Sequence, residues 1–589
     1  MFFIIFICDN CYFNVVCKIY KSYLKKIKEK YYQLMDKEIY DSILKAHTFG
    51  KLSGTDYLVS YRNMFELTEE KIRSNGNKIY LTFYDDKSNK VNLSYKDFGQ
   101  RLNQLANFLK EKNIGKGDRV AIFSHNHFNT VIVYFACWAI GAVVVPINVS
   151  EDAHRVNYIL ENSNSKIVFT RKEYLEKLNK AGISESILIM HNDKIPFDMY
   201  SDELAHDKSI TKEDECMIVY TSGTTGNPKG VVLTQYNLMS DAKAISDWHN
   251  LHGDDVMMCV LPIHHVNGTV VTVMTTMFYG GKLVLNQKFQ TEYFLKRLQD
   301  EKVKVVSVVP TLLQFLLHSD EESSGYNLKN FSHIICGAGP LTCELAKNFE
   351  NRFGLRIVHG YGLSETTCYS CFIPVNLKKD EHIKWQNDYG FPTIGIQIEC
   401  NEMDIHDDKG NPMNENEKGE IVIRGHNVMK YYYNNDEANR MTFEFGWFRS
   451  GDEGFYKYDS SGRKYFFITG RIKELIIRGA VNISPLEIDE VISSSDNVKA
   501  GIAVGFENDW YGEEVGALVI LKDSSASKEL KNKYKEEIIT HCRKELPFFK
   551  SPKVIVFSDT IPVTSTGKYQ RNKVKDLFKE WKKIQFKEK

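Results

Sequence analysis

The sequence predicts an α/β protein. It should have a large N-terminal domain of mixed and parallel sheets flanked by helices, with a β-rich subdomain, and a small mobile α+β domain at the C-terminus. Three observations point there. Apolar strand-like runs alternate with helical stripes at βαβ spacing from Ser94 to Thr170. Four strand-like runs each end in a polar, mostly glycine-containing turn, at 221–230, 262–268, 337–340 and 359–367. After Tyr389 the pattern changes to short strands and turns, and then to a helix-and-strand tail. At 589 residues the chain exceeds one ordinary core, so at least two domains are expected.

Residues 63–75 and 94–110 carry helical spacing, with Phe98, Leu102, Leu105, Phe108 and Leu109 on one stripe of the second. Ser94 with Asp97 is a capping start. Asp118–Phe123 reads as a strand, Thr130–Gly141 as a buried helix, Ala142–Pro146 as a strand, Val156–Asn162 as a helix and Ser165–Thr170 as a strand. Ile218–Tyr220 is a strand before Thr221-Ser222-Gly223-Thr224-Thr225-Gly226-Asn227-Pro228-Lys229-Gly230. Glycines let N–H groups converge on oxygens, hydroxyls donate further bonds and Lys229 adds charge, so this loop suits an anionic, phosphate-like ligand. It is not the Walker pattern, because its lysine precedes the glycine and no Ser/Thr follows.

Gln235–Asn250 is helical, and Val256–Leu261 is a strand ending at Pro262-Ile263-His264-His265-Val266-Asn267-Gly268. Lys304–Val309 and His333–Cys336 are strands, the latter running into Gly337-Ala338-Gly339-Pro340 and a helix over Leu341–Phe353. Arg356–Gly360 precedes Tyr361-Gly362-Leu363-Ser364-Glu365-Thr366-Thr367. Carboxyl ends of parallel strands lie together, so these loops can share one crevice. The β-rich stretch has strands at 397–401, 405–417 and 419–424, then Gly446–Asp452 and a hairpin turning at Asp459–Gly462. A helix over Leu486–Ser493, strands at 501–505 and 515–521 and a helix over Ser527–Glu545 complete the tail.

Composition narrows the partners. With 76 basic and 76 acidic residues there is no electrostatic case for nucleic acid. Cys368 and Cys371 are spaced C-x-x-C, but no second pair lies at zinc-ribbon distance, so buried thiols in a reducing cytoplasm explain the 12 cysteines better than a metal. No stretch reads as an integral membrane segment. Residues 1–45 read as a leader with two explanations, a translation start at Met35 or an amphipathic segment that touches a membrane peripherally. Missing helical periodicity in the first residues favours the start at Met35.

Motifs in one order carry a resemblance: YTSGTTGNPKG at 220–230, PIHHVNG at 262–268, GAGP at 337–340, HGYGLSE at 359–365, GWFRSGD at 446–452, GRIKELI at 470–476 and PVTSTGK at 562–568. Over residues 55–575 the chain resembles the AMP-forming acyl-CoA synthetases of the adenylate-forming superfamily, and looks fatty- or medium-chain-ligase-like. The resemblance implies an N-terminal AMP-binding domain over 46–470 and a mobile domain over 471–589. It implies a reaction in which a small carboxylic acid and ATP give an acyl-adenylate and pyrophosphate, after which the acyl group passes to CoA. A separate carrier-protein thiol is the alternative acceptor, and a catalytically dead nucleotide binder the contrasting class. The latter would lack Lys568, Glu365 or Asp452, all of which are present.

The roles that follow are also implied by the resemblance. Thr221, Ser222, Gly223, Thr224, Thr225, Gly226 and Lys229 bind the β- and γ-phosphates. Glu365 holds Mg²⁺, and Ser364 stands where the family usually has threonine at the α-phosphate. Tyr361 stacks on adenine beside Gly337, Ala338 and Gly339, and Gly362 next to it belongs to the same nucleotide-binding set. Asp452 binds the ribose hydroxyls with help from Arg471. Lys568 bonds the carboxylate and α-phosphate oxygens, and His265 stands near the acyl and thiol sites with His264 as its structural neighbour. Lys473 is the hinge, and Gly479 lets the pantetheine arm of CoA approach. Gly362 replaces the tryptophan that closes the pocket of acetate enzymes, so an acid longer than acetate is expected. Asn267, Thr311, His359 and Cys368 are candidates to line the pocket.

Overall fold

The structure, a computed structural model, describes residues 37–48, 57–183, 187–221, 227–479, 481–563 and 569–587. A nine-stranded sheet has a parallel centre. It runs Ile357–Tyr361, His333–Cys336, Val305–Val308, Val256–Cys259, Lys282–Asn286 and Ile79–Tyr84, with antiparallel strands added at both edges. A second sheet of seven strands is parallel through Val143–Pro146, Arg119–Phe123, Ser165–Thr170 and Leu188–His191. It is antiparallel where Glu215–Thr221 pairs with Lys229–Thr234 and the latter with Tyr431–Tyr432.

The helices between the sheets explain why their sequences are so apolar. Helix Phe128–Ala139 buries all but its first residue, and Trp138 and Tyr134 are wholly enclosed. Helix Tyr95–Glu111 begins at the expected Ser94/Asp97 capping box, and its apolar stripe is buried. A four-stranded antiparallel sheet, Asn401–His406, Gly419–Gly425, Phe448–Tyr458 and Lys464–Arg471, is the β-rich part. The tail builds a five-stranded sheet around Val498–Asn508 and Gly512–Leu521, covered by helices Pro485–Ser493 and Lys528–Glu545.

Four expectations change. Helix Lys37–Ala46 sinks Ile39, Ile43 and Ala46 into the main core, so residues 37–45 are part of the fold rather than of a leader. The boundary at 470/471 falls inside a strand, since Arg471 still pairs with Asp452. No strand runs over 405–417: it stops at His406, where Asp407 Oδ1 accepts from the N–H groups of Lys409 and Asn411 and turns the chain. Asn267 and Gly268 are not loop residues, because they open a π-helix, Asn267–Met274, that continues as helix Thr275–Tyr279. Its β-branched sequence suggests a strand. Burial on all sides overrides that preference, and the Thr275 hydroxyl bonds back to the Val270 carbonyl at 2.9 Å.

Candidate active site

The phosphate-loop motif sits at the end of a hairpin. Strand Glu215–Thr221 returns as Lys229–Thr234, with Thr221 opposite Lys229. Ser222, Gly223, Thr224, Thr225 and Gly226 lie outside the described residues. Lys229 stands over the ring of Tyr432, with Nζ 5.0 Å from the centroid. Burial lowers its ammonium pKa and the charge of Lys473 lowers it further, while Glu365 and Glu437 oppose both. A half-buried lysine in the field of a second cation is prepared for an anion.

Glu365 faces this lysine from the strand-end loop at 359–367. Its Oε1 accepts from the Tyr432 hydroxyl at 2.8 Å, and its backbone carbonyl accepts from Met429 N–H at 2.7 Å. The carboxylate sits in a short 3₁₀ turn, Ser364–Thr366, after which the chain reverses sharply. Thr367 has φ 63° and ψ −49°, and Cys368 N–H bonds the Thr366 carbonyl at 2.6 Å. That is a γ-turn centred on a β-branched residue, a conformation that costs about 1–3 kcal/mol. The Thr367 hydroxyl holds it by donating to the Asn427 carbonyl at 2.6 Å.

The reversal changes the meaning of Gly362. A Cβ there would lie 1.7 Å from the Cys368 carbonyl oxygen. The residue is glycine because main chain occupies the space, so the room expected for a longer acid is not opened by this position. Gly337 is constrained similarly: its Cβ would meet the Gly360 carbonyl and the Tyr369 hydroxyl, each at 2.6 Å. Left-handed backbone in that turn falls on Ala338, at φ 63°, with Gly339 next to it.

Tyr361, Asp452 and Arg471 form one network. The Tyr361 hydroxyl donates to Asp452 Oδ2 at 2.7 Å, and Arg471 Nε lies 3.4 Å from Asp452 Oδ1. The cross-strand register that pairs Asp452 with Arg471 sets this up. Burial, then the nearby Asp452 charge, pushes the Tyr361 phenol well above its usual range, so it stays a donor. Arg471 also feels Glu365, which links this network to the Lys229 group.

The His264 and His265 rings lie 4.6 Å apart between centroids, tilted at 53° to each other. Burial, with help from His265, drives the His264 pKa well below the ordinary imidazole value, as suits a packed neutral neighbour. Of the pocket candidates, Asn267 donates to the Tyr369 hydroxyl at 3.2 Å and accepts from Ser307 Oγ at 2.7 Å, and His359 Nδ1 meets the Thr393 carbonyl at 2.8 Å. Cys368 and Cys371 are buried free thiols. Lys473 lies in a 3₁₀ turn, Ile472–Glu474, just past Arg471. Gly479 turns a hairpin at φ 55°, and a Cβ there would meet nothing nearer than Tyr511 at 3.9 Å. Lys568 lies outside the described residues.

The structure thus gathers Lys229, Glu365 and Lys473, and beside them Tyr361, Asp452 and Arg471. Gly337 and Asn267 join through Gly360 and Tyr369. Sequence reasoning missed Tyr432 and Tyr369. Tyr432 sits on a two-residue edge strand paired with Val231, far away in the chain, and only the run Tyr431-Tyr432-Tyr433 hinted at it. Among the described residues no cluster of His, Cys, Asp and Glu could hold a metal by itself, and no helix is long and apolar enough to cross a membrane.

Comparison with known proteins identifies the family. The AMP-binding enzyme family matches residues 68–433, and the AMP-binding enzyme C-terminal domain matches 487–568. An oxalate–CoA ligase of Arabidopsis thaliana is 31% identical, over 84% of this chain and 95% of its own. A long-chain-fatty-acid–CoA ligase of Mycobacterium tuberculosis is 28% identical, over 85% and 95%. Among solved structures, ATP-bound MatB from Rhodopseudomonas palustris superposes with a TM-score of 0.77 at 25% identity, covering 88% of this chain and all of that one.

Proposed function

The chain belongs to the AMP-binding enzyme family as an AMP-forming acyl-CoA ligase, and from that premise we propose how its residues divide the reaction. Residues 37–471 bind nucleotide and acid, and the domain beyond the Ile472–Glu474 turn moves. In the first half-reaction a carboxylate oxygen attacks the α-phosphorus of ATP, and the bond to the β-phosphate oxygen breaks as pyrophosphate leaves with the electron pair. Two anions must meet, so cations offset their repulsion. Lys229 and loop residues 221–226 take the β- and γ-phosphates, and Lys568 takes the carboxylate and α-phosphate oxygens beside Ser364. Asp452 accepts from the ribose hydroxyls, positioned by Arg471 and Tyr361, while the Tyr361 ring lies along adenine beside 337–339.

Glu365 suits Mg²⁺: it is a hard oxygen donor facing the phosphate lysine, and Tyr432 fixes its orientation through Oε1. Bound there with phosphate oxygens, the ion would neutralise charge on the leaving pyrophosphate. In the second half-reaction a thiol sulfur attacks the acyl carbon and AMP leaves. Rotation about Lys473 withdraws Lys568 and presents the Gly479 turn to the pantetheine arm, with His265 on the acid and thiol side.

The carrying observation is the juxtaposition of the Lys229–Glu365–Tyr432 group with the Tyr361–Asp452–Arg471 network at one end of the nine-stranded sheet. CoA is preferred to a carrier protein because the relatives compared are CoA ligases, while their acids differ too widely to name this one. A cytoplasmic location fits ATP and CoA as cosubstrates. The test is acid-dependent ATP–pyrophosphate exchange, followed by thioester analysis with CoA and with a phosphopantetheinylated carrier protein. Acyl-CoA formation supports the reading; exchange with thioester only on the carrier rejects it.

A further inference from the structure

The end of the crevice where an acid would lie is the region bounded by the carboxyl ends of strands Val305–Val308 and His333–Cys336 and by the start of the π-helix at Asn267. One side chain fills it. Tyr369 is 1% exposed. Its hydroxyl takes the place beside Gly337 that a Cβ would otherwise use, 2.6 Å from the built position, and its ring carbon Cε1 is 2.8 Å from the same point. Asn267 donates to that hydroxyl at 3.2 Å and is itself fixed by Ser307 at 2.7 Å. The phenol is therefore held from the helix side by an amide that the strand side anchors.

Aromatic rings back it. The Phe372 ring lies 4.4 Å from the Tyr369 ring, and the Trp248 ring 6.1 Å beyond Phe372. Gly360 in turn has its Cβ position 2.3 Å from Phe372, so the aromatic layer sits directly on the strand. The γ-turn at Thr367 delivers Tyr369 to this place, and the same turn puts the Cys368 carbonyl against Gly362. The two positions that would lengthen a pocket are thus filled by one structural device.

We propose that Tyr369 is the floor of the acid pocket and restricts this ligase to short-chain carboxylic acids. The inference rests on the ligase reading above and reverses the expectation of a long acid drawn from Gly362. A long aliphatic tail would have to displace a buried ring from its hydrogen bond with Asn267 and from its aromatic contact with Phe372. In a rigid pocket one methylene is worth about 10–200-fold in discrimination.

The test measures kcat/KM for acyl-CoA formation with straight-chain acids from acetate to decanoate, and with benzoate, in the wild type, Tyr369→Ala and Tyr369→Val. The second variant guards against collapse of the first, and thermal melting confirms that each is folded. The wild type should be best within acetate to butanoate and lose about tenfold or more by octanoate. Both variants should gain about tenfold or more on octanoate with KM for ATP unchanged. Tyr369→Phe, which keeps the ring, should keep the wild-type length limit. A wild type that prefers octanoate, decanoate or benzoate overturns the proposal and leaves the ligase reading standing, as does an unchanged length profile in folded Tyr369→Ala and Tyr369→Val. No thioester and no acid-dependent pyrophosphate exchange with any of these acids also overturns the proposal, whereas exchange that ends in a thioester only on a carrier protein rejects the ligase reading itself.

Discussion

Replacing Asp452 by Asn tests the nucleotide half of the site with little change in shape. Asp452 is 3% exposed and takes the Tyr361 hydroxyl at 2.7 Å on one oxygen. Arg471 faces the other oxygen at 3.4 Å, with 39% of the arginine side chain exposed. Solvent screens that ion pair, so its loss costs under about 1 kcal/mol. The larger effect falls on the ligand. A hydrogen bond to a charged acceptor is worth about 1.5–3 kcal/mol, and the asparagine offers a ribose one neutral acceptor and an amide that also confronts Arg471. At 1.4 kcal/mol per factor of ten, KM for ATP should rise about 10–100-fold, with the melting temperature little changed because the asparagine's carbonyl oxygen can accept the Tyr361 bond that Asp452 Oδ2 now takes. ATP–pyrophosphate exchange at varied ATP measures it. A folded variant whose KM for ATP stays within about twofold of wild type would refute the placement of ATP against Asp452.

Other outcomes follow from the same geometry. Gly362→Ala puts a methyl 1.7 Å from the Cys368 carbonyl, so the γ-turn must shift; the cost is about 1–3 kcal/mol in urea unfolding, with exchange activity largely lost. Glu490, in helix Pro485–Ser493, accepts from Cys343 N–H at 2.8 Å across to helix Cys343–Phe353. Burial first, then Asp489 and Glu344, push its pKa up to about 7. A raised acid holds its proton in the folded state, so the stability linked to this group is fully present below about pH 4.5 and is lost as pH rises through about 7, where a buried charge must form. Glu490→Gln should remove that slope from melting curves and raise the melting temperature at pH 8 relative to wild type. His333, paired with His249 at 2.8 Å, is pushed down to about 3 by burial first. Stability it contributes is present above pH 6.5 and is lost as pH falls towards about 3, at up to about 1.4 kcal/mol per pH unit. A His333→Gln variant should show a shallower loss in this window.

What the sequence made legible was local. Strand His333–Cys336, the Ser94/Asp97 cap and the hairpin turn at Asp459–Gly462 depend on neighbouring residues, and they occur where periodicity and turn chemistry place them. The glycine-marked turns also fall at strand ends, as turn chemistry predicts. Two kinds of feature escaped. The π-helix from Asn267 to Met274 is dictated by burial on every side and not by its β-branched residues. The partners of Glu365 and Gly337, Tyr432 and Tyr369, come through an edge strand and a strained turn, which no spacing rule encodes. Gly362 shows the same limit: a missing side chain reads as space in a sequence, yet it is a backbone contact in the fold.

The most direct test of the central claim follows an oxygen atom. With the carboxyl oxygens of an accepted acid labelled with ¹⁸O, one turnover with ATP and CoA should deliver one labelled oxygen to AMP and none to pyrophosphate, because the acid attacks the α-phosphorus. Mass spectrometry of the two products reads this out. Unlabelled AMP, or label in a phosphate product, would contradict an acyl-adenylate route.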